Sequence, residues 1–153
     1  MIQNLGNDLQ TLSQTHSPCR VFVYGTLKPK EDNFEAYCAD GILSSQPAIA
    51  YGEIFALPMG YPAMVLGDQS SQSVYGYLFT FPDRRTLESL DELEDYQCDR
   101  PSCENLYNRQ EIEVFDLAVN SLGLAWVYVM TKEQVNKFNG IPQPNGSWSG
   151  LTT

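Results

Sequence analysis

The sequence predicts an α+β domain built on a mainly antiparallel, curved sheet. Three observations carry that prediction. Apolar and aromatic runs of strand length outnumber amphipathic runs of helix length, and the helices come late and singly instead of following every strand. Glycines stand inside two strand runs, at Gly52 and Gly76, where they suit the bends or bulges of a barrel. With 153 residues, one domain is the natural count, and it is long enough to bury a sizeable core. The expected organisation is a flexible polar arm over 1–18 and a single domain over 19–153.

Arg20 to Tyr24 opens the domain as a short buried strand. Lys30 to Asp40 predicts a helix, with Phe34, Tyr37 and Cys38 at helical spacing and Gly41 just past the end. Ile49 to Leu57 reads as a strand, Gly60-Tyr61-Pro62 as a turn, and Ala63 to Leu66 as another short strand. Val74 to Phe81 is an aromatic-rich strand. Asp83 to Tyr96 predicts a helix, because Leu87, Leu90 and Leu93 recur every third position on one stripe. Gln97 to Leu106 is a loop. Tyr107 to Val119 alternates: Asn108, Gln110, Ile112 and Val114 face one way, Tyr107, Arg109, Glu111, Glu113 and Phe115 the other. A turn over Asn120 to Gly123 leads into the strand Leu124 to Met130, and Thr131 to Phe138 predicts a short helix. The tail from Gly140 to Gly150, rich in Gly, Pro, Asn and Ser, reads as irregular.

A net charge of −10 argues against nucleic acid and anionic membrane as partners. It leaves room for an anionic small molecule, because a local nest of N–H groups outweighs the global field at short range. Residues 1–18 lack the basic start and apolar core of a secretory leader, so a cytoplasmic location is expected. Cys19, Cys38, Cys98 and Cys103 have no zinc-site spacing and are expected as free thiols. His16, the only histidine, lies in the arm, which makes a histidine-based nucleophile triad improbable and offers no metal centre. Neither a phosphate-binding loop nor a dinucleotide fingerprint is present. No cofactor is expected.

Two segments carry chemistry. In the first, Val21, Phe22 and Val23 end in Tyr24, Gly25, Thr26 and Leu27. A glycine turn at a strand end either lets a ligand approach the backbone or presents N–H groups to a carboxylate or oxyanion; an ordinary turn is the bland alternative. The second is Glu94. At about 100° per residue it projects between Leu87 and Leu90, about 40° from Leu90, while Glu88, Asp91, Glu92 and Asp95 fall toward solvent. Burial and the helix C-terminus would both raise its pKa, as suits a general base or acid near neutral pH.

Taken in order, these residues form a recognisable set. Tyr24-Gly25-Thr26-Leu27, Gly60-Tyr61-Pro62-Ala63, Val74-Tyr75-Gly76, Leu90 to Glu94, Asn105 to Arg109 and Gly146-Ser147-Trp148 resemble the gamma-glutamylcyclotransferase-like family, closest to its gamma-glutamylaminecyclotransferase and AIG2-like branch. The resemblance runs from about Arg20 to Trp148. It implies a compact mixed barrel with flanking helices and a small gamma-glutamyl substrate. The implied reaction is release of 5-oxoproline by attack of the substrate's α-amine on its own γ-carbonyl. Glu94 takes the family's catalytic position, and Tyr24, Gly25, Thr26 and Leu27 its substrate loop. Tyr107 and Arg109 stand in the family's Tyr-x-Arg pattern. Tyr107 is expected to offer its hydroxyl to substrate, and Arg109 to pair a carboxylate, of the substrate or of Glu111. Trp148 is expected to plug the barrel. The family usually has glycine after the glutamate, and here Asp95 stands there, which would disturb the helix end and raise the Glu94 pKa further. The alternatives are a non-catalytic module that binds an amino-acid-like ligand in the same loop, and a related enzyme acting on a modified gamma-glutamyl compound.

Overall fold

The computed structural model describes residues 18–148 except 26, 29–30, 32–33, 35–40 and 69. The arm and almost all of the helix expected over Lys30 to Asp40 lie outside the described residues. Within them the elements run β1 (Cys19–Val23), β2 (Ser44–Ala56), β3 (Pro62–Leu66), β4 (Ser73–Phe81), α1 (Arg85–Leu93), a 3-10 turn (Ser102–Glu104), β5 (Asn108–Phe115), β6 (Ser121–Val129), α2 (Lys132–Lys137) and β7 (Ile141–Pro142).

The strands form a mixed, mostly antiparallel barrel with flanking helices. The order is β3-β2-β4-β1-β6-β5, and a β2–β5 pairing at Ile49 and Phe115 closes five strands on themselves. Among the described residues, only β1 and β6 run parallel, meeting at Val21 and Trp126. β2 is long because it serves two partners: Ser44 to Tyr51 pair with β4, and Gly52 to Ala56 pair with β3. The change of partner falls at Gly52, where a β-carbon would stand 2.3 Å from the Val65 carbonyl oxygen. The first residues of β2 are polar and exposed and include Pro47, so apolar patterning starts the strand only at Ile49.

Strand alternation divides the core in two. Phe22 packs inside the barrel with Ala48, Ala50, Val74, Leu78, Ala125 and Val127, and the alanines fit its narrow interior. Val21 and Val23 point to the other face, where Leu87 and Leu90 of α1 cover them. Full burial of a leucine side chain contributes about 1.5–3 kcal/mol, so the Leu87–Leu90 stripe is what docks the helix.

At Gly76, β4 leaves no room for a side chain against β1. A β-carbon there would lie 2.2 Å from the Val23 carbonyl oxygen and 2.9 Å from the Phe22 ring. Gly76→Ala is therefore expected to destabilise the fold by about 1–3 kcal/mol. Urea denaturation measures this, and an unchanged midpoint would show that the two strands can part without cost.

The structure corrects two sequence expectations here. β5 ends at Phe115, four residues before Val119, and the connection to β6 is a turn over 116–120 rather than Asn120 to Gly123. Asp116 makes that turn: its Oδ1 accepts the N–H groups of Ala118 and Asn120, each at 2.9 Å, and Val119 takes φ 67°. The apolar alternation of Phe115, Leu117 and Val119 continues through the turn although Leu117 and Val119 are exposed. The tail is also not wholly irregular. Ile141 and Pro142 pair with Ala56 and Phe55, and the Gly146 carbonyl accepts the Tyr75 N–H at 2.8 Å. That path carries Trp148 into the barrel's interior cluster, as expected of a plug.

Candidate active site

Four element ends converge on one cavity of about 290 Å³. β1 delivers Phe22, Val23, Tyr24, Gly25 and Leu27, and the β2–β3 turn delivers Tyr61 and Pro62. The C-terminus of α1 delivers Leu93 and Glu94, and the start of β5 delivers Leu106 and Tyr107; Tyr128 of β6 completes the lining. The structure thus brings together Tyr24, Gly25, Leu27, Glu94 and Tyr107. Thr26 lies outside the described residues.

Glu94 owes its place to the way α1 stops. The Tyr96 N–H bonds back to the Asp91 carbonyl at 2.9 Å and the Asp95 N–H to the Glu92 carbonyl at 3.3 Å, the paired bonds of a Schellman turn. Such a turn needs a left-handed residue just beyond the cap, and Asp95 supplies it with φ 54°. Glycine adopts that conformation freely, whereas a residue with a β-carbon pays about 1 kcal/mol or more. The chain then returns: the Leu106 N–H donates to the Asp95 carbonyl at 3.2 Å and the Tyr107 N–H to the Glu94 carbonyl at 3.4 Å. Glu94 is consequently fastened through its backbone to Tyr107, which lines the same cavity.

As a residue Glu94 is only half-buried, because the cavity opens to solvent. Protein nevertheless crowds its carboxyl, and that burial pushes its pKa up to about 7. Among the described residues the carboxyl has no hydrogen-bond or ion-pair partner. The added effect expected of Asp95 is absent, because its carboxylate is on the surface, 3.1 Å from Arg100. Three phenols surround the site. Tyr24 donates to the Tyr128 carbonyl at 2.5 Å and accepts the Met64 N–H at 3.2 Å; Tyr107 donates to the Pro62 carbonyl at 2.5 Å. Burial raises the pKa of Tyr24, Tyr107 and Tyr128, with Glu94 adding to each, so they stay neutral at physiological pH. The proton of Tyr107 is engaged by the Pro62 carbonyl, so its oxygen retains only acceptor capacity.

Gly25 is held close to the opposite wall: a β-carbon would stand 2.8 Å from Pro62 Cγ. The Lys28 N–H bonds to the Gly25 carbonyl at 3.0 Å, closing the turn, and no turn bond among the described residues uses the N–H of Gly25 or Leu27. The Lys28 ammonium donates to the Trp148 carbonyl, which ties the loop to the tail.

Arg109 departs from its expected partners. Its Nη1 donates to both carboxylate oxygens of Asp91, at 2.9 and 3.1 Å, not to Glu111. The guanidinium also stacks on Trp126 and Tyr96, at 4.8 and 5.2 Å. Asp91 accepts in addition from the Tyr128 hydroxyl at 2.7 Å. It is a half-buried brace, whereas projection on the helix put it toward solvent. Tyr128 was not anticipated: nothing marks it among the aromatics of its strand, and its partner lies 37 positions away.

The sequence matches the family described as gamma-glutamyl cyclotransferase, AIG2-like, over residues 21–150. It is 33% identical over 113 residues to the gamma-L-glutamyl-butirosin B gamma-glutamyl cyclotransferase of Niallia circulans, an alignment covering 74% of this chain and 67% of that protein. It is 30% identical over 100 residues to gamma-glutamylaminecyclotransferase A of Danio rerio, covering 61% and 57%. In three dimensions it is similar to a mouse AIG2-like protein, with TM-score 0.64 at 21% identity over 88% of this chain and 90% of the other. It is also similar to YkqA of Bacillus subtilis, with TM-score 0.60 at 24% identity over 86% and 39%. At those identities the structures speak for the fold alone.

Proposed function

This chain belongs to the gamma-glutamyl cyclotransferase, AIG2-like family, and on that premise we propose that it releases 5-oxoproline from a small gamma-glutamyl amine or amino acid, with Glu94 as the acid–base group. The observation that carries the reading is Glu94 itself: a carboxyl without a partner among the described residues, its pKa pushed up to about 7, in a cavity of about 290 Å³.

The chemistry follows from that placement. The substrate's α-ammonium is attracted to the Glu94 carboxylate and to the phenol oxygens beside it. Glu94 takes the proton, and the amine nitrogen attacks the γ-carbonyl carbon, closing a five-membered ring. The bond to the departing amine then breaks as Glu94 returns the proton to that nitrogen, and the ring nitrogen sheds its second proton to solvent, leaving the neutral lactam. Nucleophile and electrophile share one residue, so holding it in a folded conformation removes much of the entropic barrier. The loop of Tyr24, Gly25, Thr26 and Leu27 is the part suited to receive the substrate's carboxylate or the oxyanion, since among the described residues no turn bond uses the N–H of Gly25 or Leu27. Tyr107 offers its oxygen, and its ring faces Tyr61 with centroids 6.3 Å apart. No cofactor enters the scheme, and a cytoplasmic protein acting on free small molecules is in keeping with it.

The test is 5-oxoproline release from a panel of gamma-glutamyl amines, gamma-glutamyl amino acids and gamma-L-glutamyl-butirosin B, which includes the compounds that the relatives' names give. Turnover is expected for at least one class. A panel without product, from protein that is folded and monodisperse, overturns the assignment.

A further inference from the structure

The end of α1 carries both Glu94 and the left-handed Asp95, φ 54°. Arg100 is bound directly to that residue. Its Nη2 donates to the Asp95 carbonyl at 2.7 Å and to the Asp95 carboxylate at 3.1 Å. Its Nε donates to Asn105 Oδ1 at 2.7 Å. Asn105 is only 3% exposed, and its side chain has further bonds on every side. It accepts the Gln97 N–H at 3.0 Å and donates to the Gln97 carbonyl at 3.3 Å and to Asn108 Oδ1 at 2.9 Å. From α2, Gln134 donates to the carbonyls of Asn105 and Leu106, at 3.3 and 3.0 Å. The loop over 97–105 is thus pinned to the barrel strand β5 and to the flanking helix α2, and Arg100 transmits that anchorage to Asp95.

We propose that Arg100, held by Asn105, is a positioning residue for Glu94, fixing a helix end that an aspartate at position 95 leaves strained and so setting where the Glu94 carboxyl stands in the cavity. The inference rests on the acid–base role given to Glu94. Its physical basis is that a β-carbon opposes the left-handed conformation, so a residue other than glycine stays there only where partners hold it. Arg100 suits the task because its rigid guanidinium holds Asp95 through Nη2 and Asn105 through Nε at the same time. Were Asp95 to relax, its carbonyl would also leave the Leu106 N–H, and the 3.4 Å bond from Tyr107 to the Glu94 carbonyl would loosen with it. With glycine at position 95 the conformation needs no partner, and Arg100 becomes dispensable.

That last statement defines a double-mutant cycle with Arg100→Ala, Asp95→Gly and the double variant. Two readouts are taken: kcat and KM for 5-oxoproline release, and the Glu94 titration midpoint from carboxyl carbon NMR, which needs no turnover. Arg100→Ala is expected to lower kcat about tenfold, with a smaller change in KM, and to move the Glu94 midpoint. In the Asp95→Gly background the same substitution should change kcat by less than about twofold and leave the midpoint in place. An Arg100→Ala protein with wild-type kcat and midpoint overturns the proposal, and so does an equal loss in both backgrounds. If no substrate is turned over, the cyclotransferase reading fails. The NMR cycle then decides the positioning role alone: a midpoint moved by Arg100→Ala and restored by Asp95→Gly sustains it, and an unmoved one ends it.

Discussion

Replacing Glu94 with glutamine should lower kcat by about 10²- to 10⁴-fold while leaving KM within a few-fold, because the amide keeps the shape of the side chain and removes only its ability to move a proton. The range is that of general acid–base catalysis. Residual turnover would come from the tether between amine and carbonyl and from loop donors, which the substitution does not touch. A second signature accompanies the first. In the wild type kcat/KM should rise with pH along a limb whose midpoint is near 7, since burial places the Glu94 pKa there and only the ionised form accepts the proton. An exposed glutamate would put the limb near 4.5, its ordinary value. Stopped assays of 5-oxoproline from pH 5 to 9 separate the cases. A glutamine variant with undiminished kcat would remove Glu94 from the mechanism, and a limb near 4.5 would mean that the essential carboxylate is solvated.

That Glu94 was visible in the sequence, while the bonds made by the groups around it were not, has a physical reason. Helical projection is a local property: Leu87, Leu90 and Leu93 define a face, and the face fixes the direction of a residue four positions from Leu90. The succession of strands along the chain and a curved, barrel-like sheet were legible in the same way, through runs of apolar residues and the glycines that suit bends, but the order of the strands in the sheet was not. What stayed hidden depends on partners distant in sequence. The Arg109 ion pair with Asp91 spans 18 positions, and projection alone sends Asp91 to solvent. The Tyr107 hydroxyl meets Pro62 across 45 positions. Asp116 ends β5 with two side-chain bonds that interrupt an otherwise unbroken alternation. Asp95 lies between these cases. The resemblance marked it as standing where glycine is usual, and the left-handed φ supplies the reason, but the Arg100 and Asn105 that hold it could be found only by folding the chain.

The enclosure that makes Glu94 a base should also make it a liability to the fold, so the glutamine variant that loses activity is expected to gain stability. The sign follows from the two pKa values, about 7 when folded and about 4.5 as the ordinary value. Below about pH 4.5 the group is protonated in both states and contributes nothing. Between 4.5 and 7 the native protein binds more protons than the unfolded chain, so stability falls as pH rises. Above 7 the carboxyl is charged in both states and the full cost is present, about 3 kcal/mol from the size of the shift. Glutamine is neutral at every pH and avoids it. Its advantage should be near zero at pH 4 and at most about 3 kcal/mol at pH 8, which for a domain of this size raises Tm by up to about 6–12 °C. Calorimetry of both proteins across that pH range measures the difference. A pH-independent offset would show a solvated carboxyl, and a destabilised variant would show a stabilising contact of the Glu94 carboxylate. The outcome also bears on function without requiring a substrate. A pH-dependent gain in stability joined to lost turnover is the pattern of a site that keeps a strained base for chemistry. The same gain in a protein that turns nothing over, yet is stabilised by a gamma-glutamyl ligand, is the pattern of a binding module that holds its ligand's ammonium with the same carboxylate.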